Sequence, residues 1–252
     1  MRITSNIIVF ILFLNLWNVS GQSFNNQKQK APFKLPDTIK TKSIFKKSIV
    51  PVSLIGLGVL VNHSHFERKF QTDLRNKVGN NYNLPVDDYL QFVPVAEMYI
   101  ADIYGIKAKN HWFDQTKYLF ISNLISSTIT HGLKRITQKT RPNGSPHSFP
   151  SGHTTLAFTN AAVLYNEFED SSPILAYSGY AFATTTGAFR MINNKHWLSD
   201  VLVGAGVGLL VTKMVYHFEP FKNFNPFKKI KGMSVVPLID DKHYGVYAQI
   251  TF

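Results

Sequence analysis

Cysteine is absent from this chain of 252 residues. No disulfide framework, thiolate metal site or cysteine nucleophile is therefore available, although the absence leaves the compartment open. Acidic residues are scarce, 15 against 27 Lys and Arg, which leaves a formal net charge of +12. Long apolar runs are scarce too, and the mean hydropathy is −0.06. The apolar fraction of 44% excludes a disordered chain, because that much apolar surface can offset the entropy of ordering. The length suits one domain with appendages. The positive excess points to an anionic partner, whether nucleic acid, lipid head groups or a phosphorylated molecule.

The position of the charge narrows these options. Lys28 to Lys47 holds seven Lys and one Asp, and Lys213 to Lys242 holds six Lys, one Glu and two Asp. The body between them, Ser48 to Thr212, carries only +2. A nucleic-acid domain would more often carry its basic stripe on the fold itself, so no nucleic-acid partner is expected. The flanks read either as solvated surface or as segments drawn to anionic lipid, where each Lys contributes about 1 kcal/mol. At the N-terminus, Arg2 precedes an apolar run from Ile7 to Trp17 broken only by Asn15. That run suits the hydrophobic region of an export signal and is shorter than the roughly 20 residues of a membrane span. Residues 1–21 are read as a signal peptide, cut near Gln22, with an uncleaved anchor as the alternative.

Residues 22–47, rich in Gln, Asn, Lys and Pro, read as a Lys-rich linker. Helices are expected over Ser48–Asn62, Asp88–Tyr104 with Pro94 inside it, Lys117–Thr137, Thr154–Phe168, Pro173–Met191 and Trp197–Phe218, whereas Phe66–Asn83 is polar and mixed. Residues 48–220 are thus expected to be all-α, a helical bundle of about six core helices. In the tail, 221–252, the segments Ser234–Ile239 and Tyr244–Phe252 are rich in Val, Ile, Tyr and Phe and are parted by Asp240–His243, a pattern that suggests a small β-hairpin.

Three clusters carry candidate chemistry. In the first, Lys134 and Arg141 would share one face if the helix continued, while Pro142 favours a helix end just before it. Its plainer reading is an ordinary basic helix terminus. In the second, Ser148-Phe149-Pro150-Ser151-Gly152-His153, Ser151 can cap a helix, Gly152 permits close backbone approach, and the free N–H groups of the helix start bind anions. Its plainer reading is an N-cap with an incidental His. In the third, His196 and Asp200 stand at i and i+4, neighbours on a helix. An Asp can hold one ring nitrogen and leave the other for substrate, and Arg190 adds a bidentate fork for phosphate. Its plainer reading is a surface His–Asp pair. Together, three cations, two His and one Asp at helix ends make a site for a phosphate dianion, with the carboxylate-backed imidazole as the strong nucleophile candidate. Elsewhere, Glu97 and Asp102 read as solvent-facing or paired acids, and His111 and Asp114 as caps. His131 reads as helix packing, ahead of an approach to the site, His147 as exposed loop, ahead of a substrate contact, and Gly204 with Gly208 as a close-packing pair.

The clusters resemble the three-part signature of the type 2 phosphatidic acid phosphatase superfamily, which includes bacterial acid phosphatases, lipid phosphatases and vanadium haloperoxidases. Lys134 with Arg141-Pro142, Pro150 to His153, and Arg190 with His196 and Asp200 match its three elements. Phe189 departs from the pattern, which usually has Ser there; this removes a hydroxyl contact but no charge. The resemblance covers a helical domain from Ser48 to Phe218. It implies that His196 attacks phosphorus to form a phosphohistidine, that Asp200 orients His196, and that His153 protonates the leaving oxygen and then activates water. It further implies that Lys134, Arg141, Arg190, Ser151 and Gly152 hold the phosphoryl oxygens, with no metal or other cofactor.

The expected activity is therefore hydrolysis of phosphate monoesters, with lipid-linked substrates of the phosphatidate, isoprenyl diphosphate or lipid A type foremost. A broad-specificity periplasmic acid phosphatase is the alternative, ahead of a vanadium haloperoxidase or a non-catalytic phosphate-binding protein. The expected location is exported, either periplasmic or membrane-associated with the site facing the periplasm. Oligomeric state has no signature in the sequence.

Overall fold

The computed structural model of the protein describes residues 44–79 and 81–226 and the strands at 233–240 and 243–250. The expected signal peptide and linker residues 22–43 lie outside the described residues. Among the described residues there are eight helices. We number them α1 (Ile44–Val61), α2 (His65–Val78), α3 (Asp87–Leu90), α4 (Val93–Ile103), α5 (Trp112–Thr137), α6 (Gly152–Phe168), α7 (Pro173–Ile192) and α8 (Leu198–Phe218). Two strands, β1 (Met233–Asp240) and β2 (His243–Ile250), pair antiparallel with Met233 opposite Ile250 and Asp240 opposite His243. The fold is the expected helical bundle with a terminal hairpin.

The helices exceed six for two local reasons. Phe66–Asn83 is polar overall, yet α2 forms there because Phe66, Phe70, Leu74 and Val78 recur every four residues along one stripe and its start is capped. Ser64 accepts the Glu67 N–H at 3.0 Å, and Glu67 accepts the N–H of His63, one residue before the cap, at 3.0 Å, which satisfies two donors at the helix start. The stretch Asp88–Tyr104 is two helices rather than one. Pro94 has no N–H to give to a helix interior and is accommodated only in a first turn, and it stands at the start of α4. Helix α1 also begins at Ile44, inside the expected linker, because Lys46 and Lys47 are good helix formers and do not interrupt it.

Helix α8 packs between α6 and α1, and its glycines set the spacing. A Cβ at Gly204 would lie 2.7 Å from the Ser151 carbonyl oxygen, and one at Gly208 would lie 2.6 Å from that of Thr155. The backbone of α8 therefore lies directly against the first turns of α6, which only glycine allows. Helices α5 and α6 meet through small hydroxyl residues: Thr130 donates to Thr155 at 3.2 Å and Thr159 to Ser126 at 3.1 Å. Away from these polar seams, Met98, Ala101, Val163, Leu164, Phe168 and Ala176 form an apolar cluster. Burying Phe168 alone contributes about 2 kcal/mol.

Because α5 leads into α6 and α7 into α8 through reversals of direction, one end of the bundle collects two helix C-termini and two N-termini. One described helix, α8, is long and apolar enough to cross a membrane, and 72% of its apolar window is buried inside the bundle. Outward-facing apolar side chains remain on α1 (Ile49, Val52, Leu60) and α5 (Phe120, Leu124, Ile129).

Candidate active site

The collected helix ends surround a cavity of about 390 Å³, lined by Lys134, Arg141, Gly152, His153, Arg190 and His196 among others. Lys134 stands in the last turn of α5. The helix does not run on to Arg141, as a shared face would require. It stops at Thr137, and Gln138 takes a left-handed conformation (φ 47°) whose N–H closes onto the Lys134 carbonyl at 3.2 Å. A loop then brings Arg141 back to the cavity, its turn held by the Arg141 N–H on the Ser145 carbonyl at 2.8 Å. The Lys134 ammonium donates to the carbonyls of His147 and Ser148 at 2.8 and 3.2 Å.

Ser151 caps α6, accepting from the Thr154 N–H at 3.4 Å and the Thr154 hydroxyl at 2.9 Å. Its side chain is buried in that cap, so of Ser151 and Gly152 it is Gly152 that borders the cavity. The Ser151 N–H donates to the Asp200 carbonyl at 2.9 Å, which ties the start of α6 to the start of α8.

His196 precedes α8 instead of lying on it, yet it still meets Asp200. Asp200 is the third residue of α8, and its Oδ2 accepts the Trp197 N–H at 2.9 Å. That capping contact points the carboxylate back toward the helix start, where Nδ1 of His196 lies 3.3 Å from Oδ2. The Ser148 hydroxyl donates to the same oxygen.

The other oxygen, Oδ1, is 3.1 Å from the ammonium of Lys139, which also donates to Ser199 at 2.7 Å and to both oxygens of Glu67 at 3.2 and 3.3 Å. Glu67 further accepts the Ser199 N–H at 2.9 Å. All four side chains are buried. Arg190 is buried as well: its Nη1 donates to Asp87 at 2.6 Å and to Asp88 at 3.4 Å, and Asn193 donates to Asp87 at 2.8 Å. Nε2 of His153 lies 2.9 Å from Oδ1 of Asp88. The Nε–H groups of Arg141 and Arg190 are buried without an acceptor among the described residues.

Burial sets the protonation of the site. It lowers His196 to about 4, against the raising effect of Asp200, so the ring is neutral at neutral pH. Burial, then the charge of Arg141, lowers Lys134 to about 8. His153 is lowered by burial and Arg190, partly opposed by Asp88 and Asp87. For Asp200, burial acts to raise the pKa, but the His196 hydrogen bond and the Lys139 charge outweigh it and hold the group below the usual carboxylate range.

Of the predicted site residues, Lys134, Arg141, Gly152, His153, Arg190 and His196 meet at one cavity, with Asp200 and Ser151 directly behind them. Sequence reasoning gave no role to Glu67, Asp87, Asp88 or Lys139, nor to Ser148, which opens the second cluster. Only Glu67 had a local signal, the Ser-x-x-Glu spacing from Ser64. His131, expected to pack within the bundle, is exposed and borders the cavity. His111 caps α5, with its Nδ1 accepting the Phe113 N–H at 3.3 Å. Glu97 and Asp102 are paired acids, accepting from Ser178 at 2.9 Å and Gln115 at 3.1 Å.

The described helices thus form a bundle with a cavity at one end lined by Lys134, Arg141, Arg190, His153 and His196. The chain matches the model of the PAP2 superfamily over residues 115–224. It is 32% identical over 149 residues to a lipid A 1-phosphatase of Porphyromonas gingivalis, a match that covers 57% of this chain and 33% of that protein. It is 29% identical over 99 residues to an acid phosphatase of Zymomonas mobilis, covering 39% of this chain and 32% of that one. The chain thus spans about a third of the length of these curated relatives. Among solved structures, Aquifex aeolicus LpxE is similar with a TM-score of 0.44 and 20% identity, covering 57% of this chain and 92% of that one. A PAP2-type phosphatidylglycerolphosphate phosphatase of Bacillus subtilis has a TM-score of 0.46 and 17% identity, covering 71% of this chain and 99% of that one.

Proposed function

We propose that the protein hydrolyses phosphate monoesters carried on lipids, through a phosphohistidine at His196. The observation that carries this reading is a neutral, carboxylate-backed imidazole at the end of a cavity that also holds Lys134, Arg141 and Arg190. With Nδ1 against Asp200, Nε2 is the nitrogen left to attack phosphorus, and the carboxylate stabilises the positive charge that the ring then gains. The two unaccepted arginine Nε–H groups supply donors for phosphoryl oxygens, whose charge grows in the transition state. His153 protonates the leaving oxygen and afterwards takes a proton from the attacking water.

The lipid substrate class is supported by the lipid A 1-phosphatase relative and by the outward apolar side chains of α1 and α5, which suit a membrane-associated protein. The exported location and the site facing the periplasm rest on the N-terminal sequence. An acid phosphatase acting on soluble esters is the second reading, favoured by the acid phosphatase relative and by a nucleophile that stays neutral down to about pH 4. Assaying the membrane fraction of expressing cells against lipid phosphates and 4-nitrophenyl phosphate separates the two. Lipid-linked phosphate should be the better substrate by kcat/KM. Recovery of the protein in the soluble fraction, with preference for the soluble ester, would establish the second.

The low pKa of Lys134 makes a further expectation. A lysine at about 8 keeps its charge below that pH and loses it above. Inhibition by inorganic phosphate should therefore weaken as pH rises past 8, by up to about tenfold per pH unit for a single linked proton. Lys134→Arg should carry tight binding to higher pH, and Lys134→Gln should bind weakly with little dependence on pH. A wild-type inhibition constant that stays level from pH 7 to 10 would remove Lys134 as a phosphate ligand.

A further inference from the structure

The two histidines of the site are supported from different parts of the chain. His196 has Asp200 on its Nδ1, four residues along. His153 has its Nε2 on Oδ1 of Asp88, at 2.9 Å, and Asp88 lies on α3, well before residues 115–224 that match the superfamily. The same Asp88 oxygen stands 3.4 Å from Nη1 of Arg190. Asp87 and Asp88 are adjacent but differently placed. Asp87 is buried and holds Arg190 and Asn193, whereas the Asp88 side chain is 52% exposed. A carboxylate that is half in water contributes little to stability, so its contact with His153 is better explained by what it does to the ring.

We propose that Asp88 is a positioning residue for His153, its carboxylate accepting from Nε2 so that Nδ1 is the nitrogen offered to the leaving oxygen. This rests on the phosphatase reading of the site. In the first step Nε2 of His196 bonds to phosphorus and the bond from phosphorus to the ester oxygen breaks. That oxygen takes the proton from Nδ1 of His153, leaving a neutral ring still donating Nε2–H to Asp88. In the second step water bonds to phosphorus, the phosphorus–nitrogen bond breaks, and Nδ1 takes the proton from the water. The Asp88 carboxylate favours the imidazolium needed at the start of each cycle. The charged groups facing His153 are Asp87 and Asp88 from α3 and Arg190 from α7, with Lys134, Arg141 and the two imidazoles of His131 and His196 on the same cavity. Asp88 is the one of these that hydrogen-bonds the ring.

The test uses the full-length protein and the pH dependence of kcat/KM on two esters, an alkyl phosphate whose alkoxide must be protonated and 4-nitrophenyl phosphate, whose phenolate leaves readily. Asp88→Asn should lower kcat/KM on the alkyl ester by about 10- to 100-fold and on the aryl ester by less. It should also move the alkaline limb of the profile to lower pH, because a carboxylate that favours imidazolium is gone. Asp88→Glu should restore most of both. A wild-type profile for Asp88→Asn, or an equal loss on both esters with the limb unmoved, overturns the proposal. His196→Ala serves as the separate control: if it retains turnover, the phosphatase reading fails and the role of Asp88 falls with it. If it is inactive while Asp88→Asn behaves as wild type, only the role of Asp88 is lost.

Discussion

His196→Ala should lower turnover of phosphate monoesters by about 10⁴-fold or more, the scale on which removing a covalent nucleophile acts, while inhibition by inorganic phosphate changes only a few-fold. The two readouts separate because the side chains involved are separate. Phosphate would be held by Lys134, Arg141 and Arg190, which come from the end of α5, the following loop and the end of α7. His196 sits at 1% exposure behind them, held through Nδ1 by Asp200 at 3.3 Å. Its burial lowers the ring to about pH 4, so at neutral pH it carries a free electron pair and adds no charge to the anion site. Losing it costs the reaction its covalent step and costs binding little. A His196→Ala protein with near-normal turnover would remove this residue as nucleophile. Parallel loss of phosphate inhibition and turnover would mean instead that the ring holds the site together.

The second large effect is expected at Lys139. Its ammonium lies between Glu67 and Asp200, and residue 139 is only 6% exposed. Replacing it with methionine keeps the bulk of the side chain but leaves two buried carboxylates with no cation between them. Breaking a buried ion pair from one side costs about 3–5 kcal/mol, and here one cation serves two acids. Lys139→Met should therefore unfold at markedly lower denaturant concentration. Glu67→Gln in the same chain should recover part of the loss by removing one of the stranded charges. Activity should fall as well, because Asp200 would lose the partner of its Oδ1 and one of the two main influences, with the His196 hydrogen bond, that hold its pKa down. A cost under about 1 kcal/mol, on the scale of an exposed pair, would show that the amine is not what balances these acids.

These two residues mark how far the sequence alone reached. His196 was legible because its partners are close in the chain: Asp200 is one turn on, and the Arg190 that shares its cavity ends the preceding helix. The helix start at Ser151 was legible from capping chemistry and the end at Thr137 from the run of the amphipathic pattern, whereas Pro142 pointed to an end nearer itself. Lys139 was not, because what matters about it is set by α2, whose Glu67 is remote in sequence and whose polar composition hid the helix itself. The pairing of His153 with Asp88 was hidden in the same way. The seven-residue spacing of Lys134 and Arg141 suggested a shared helical face, but the left-handed turn at Gln138 brings them to one cavity by another route. Side chains recruited from distant segments leave no local pattern, since only the folded packing of α2 and α3 on α7 and α8 brings them within hydrogen-bonding range.

The same recruitment bears on how this domain can be divided. The match to the superfamily model begins at residue 115, yet Glu67, Asp87 and Asp88 reach the cavity end of the bundle from before it. A chain trimmed to the matched region would keep every motif residue and lose the three acids that balance Lys139, Arg190 and His153. The unit that can be excised, transplanted or recombined with a relative therefore starts upstream of α2, and a graft whose junction falls at the edge of the likeness would carry the motifs without their counter-charges.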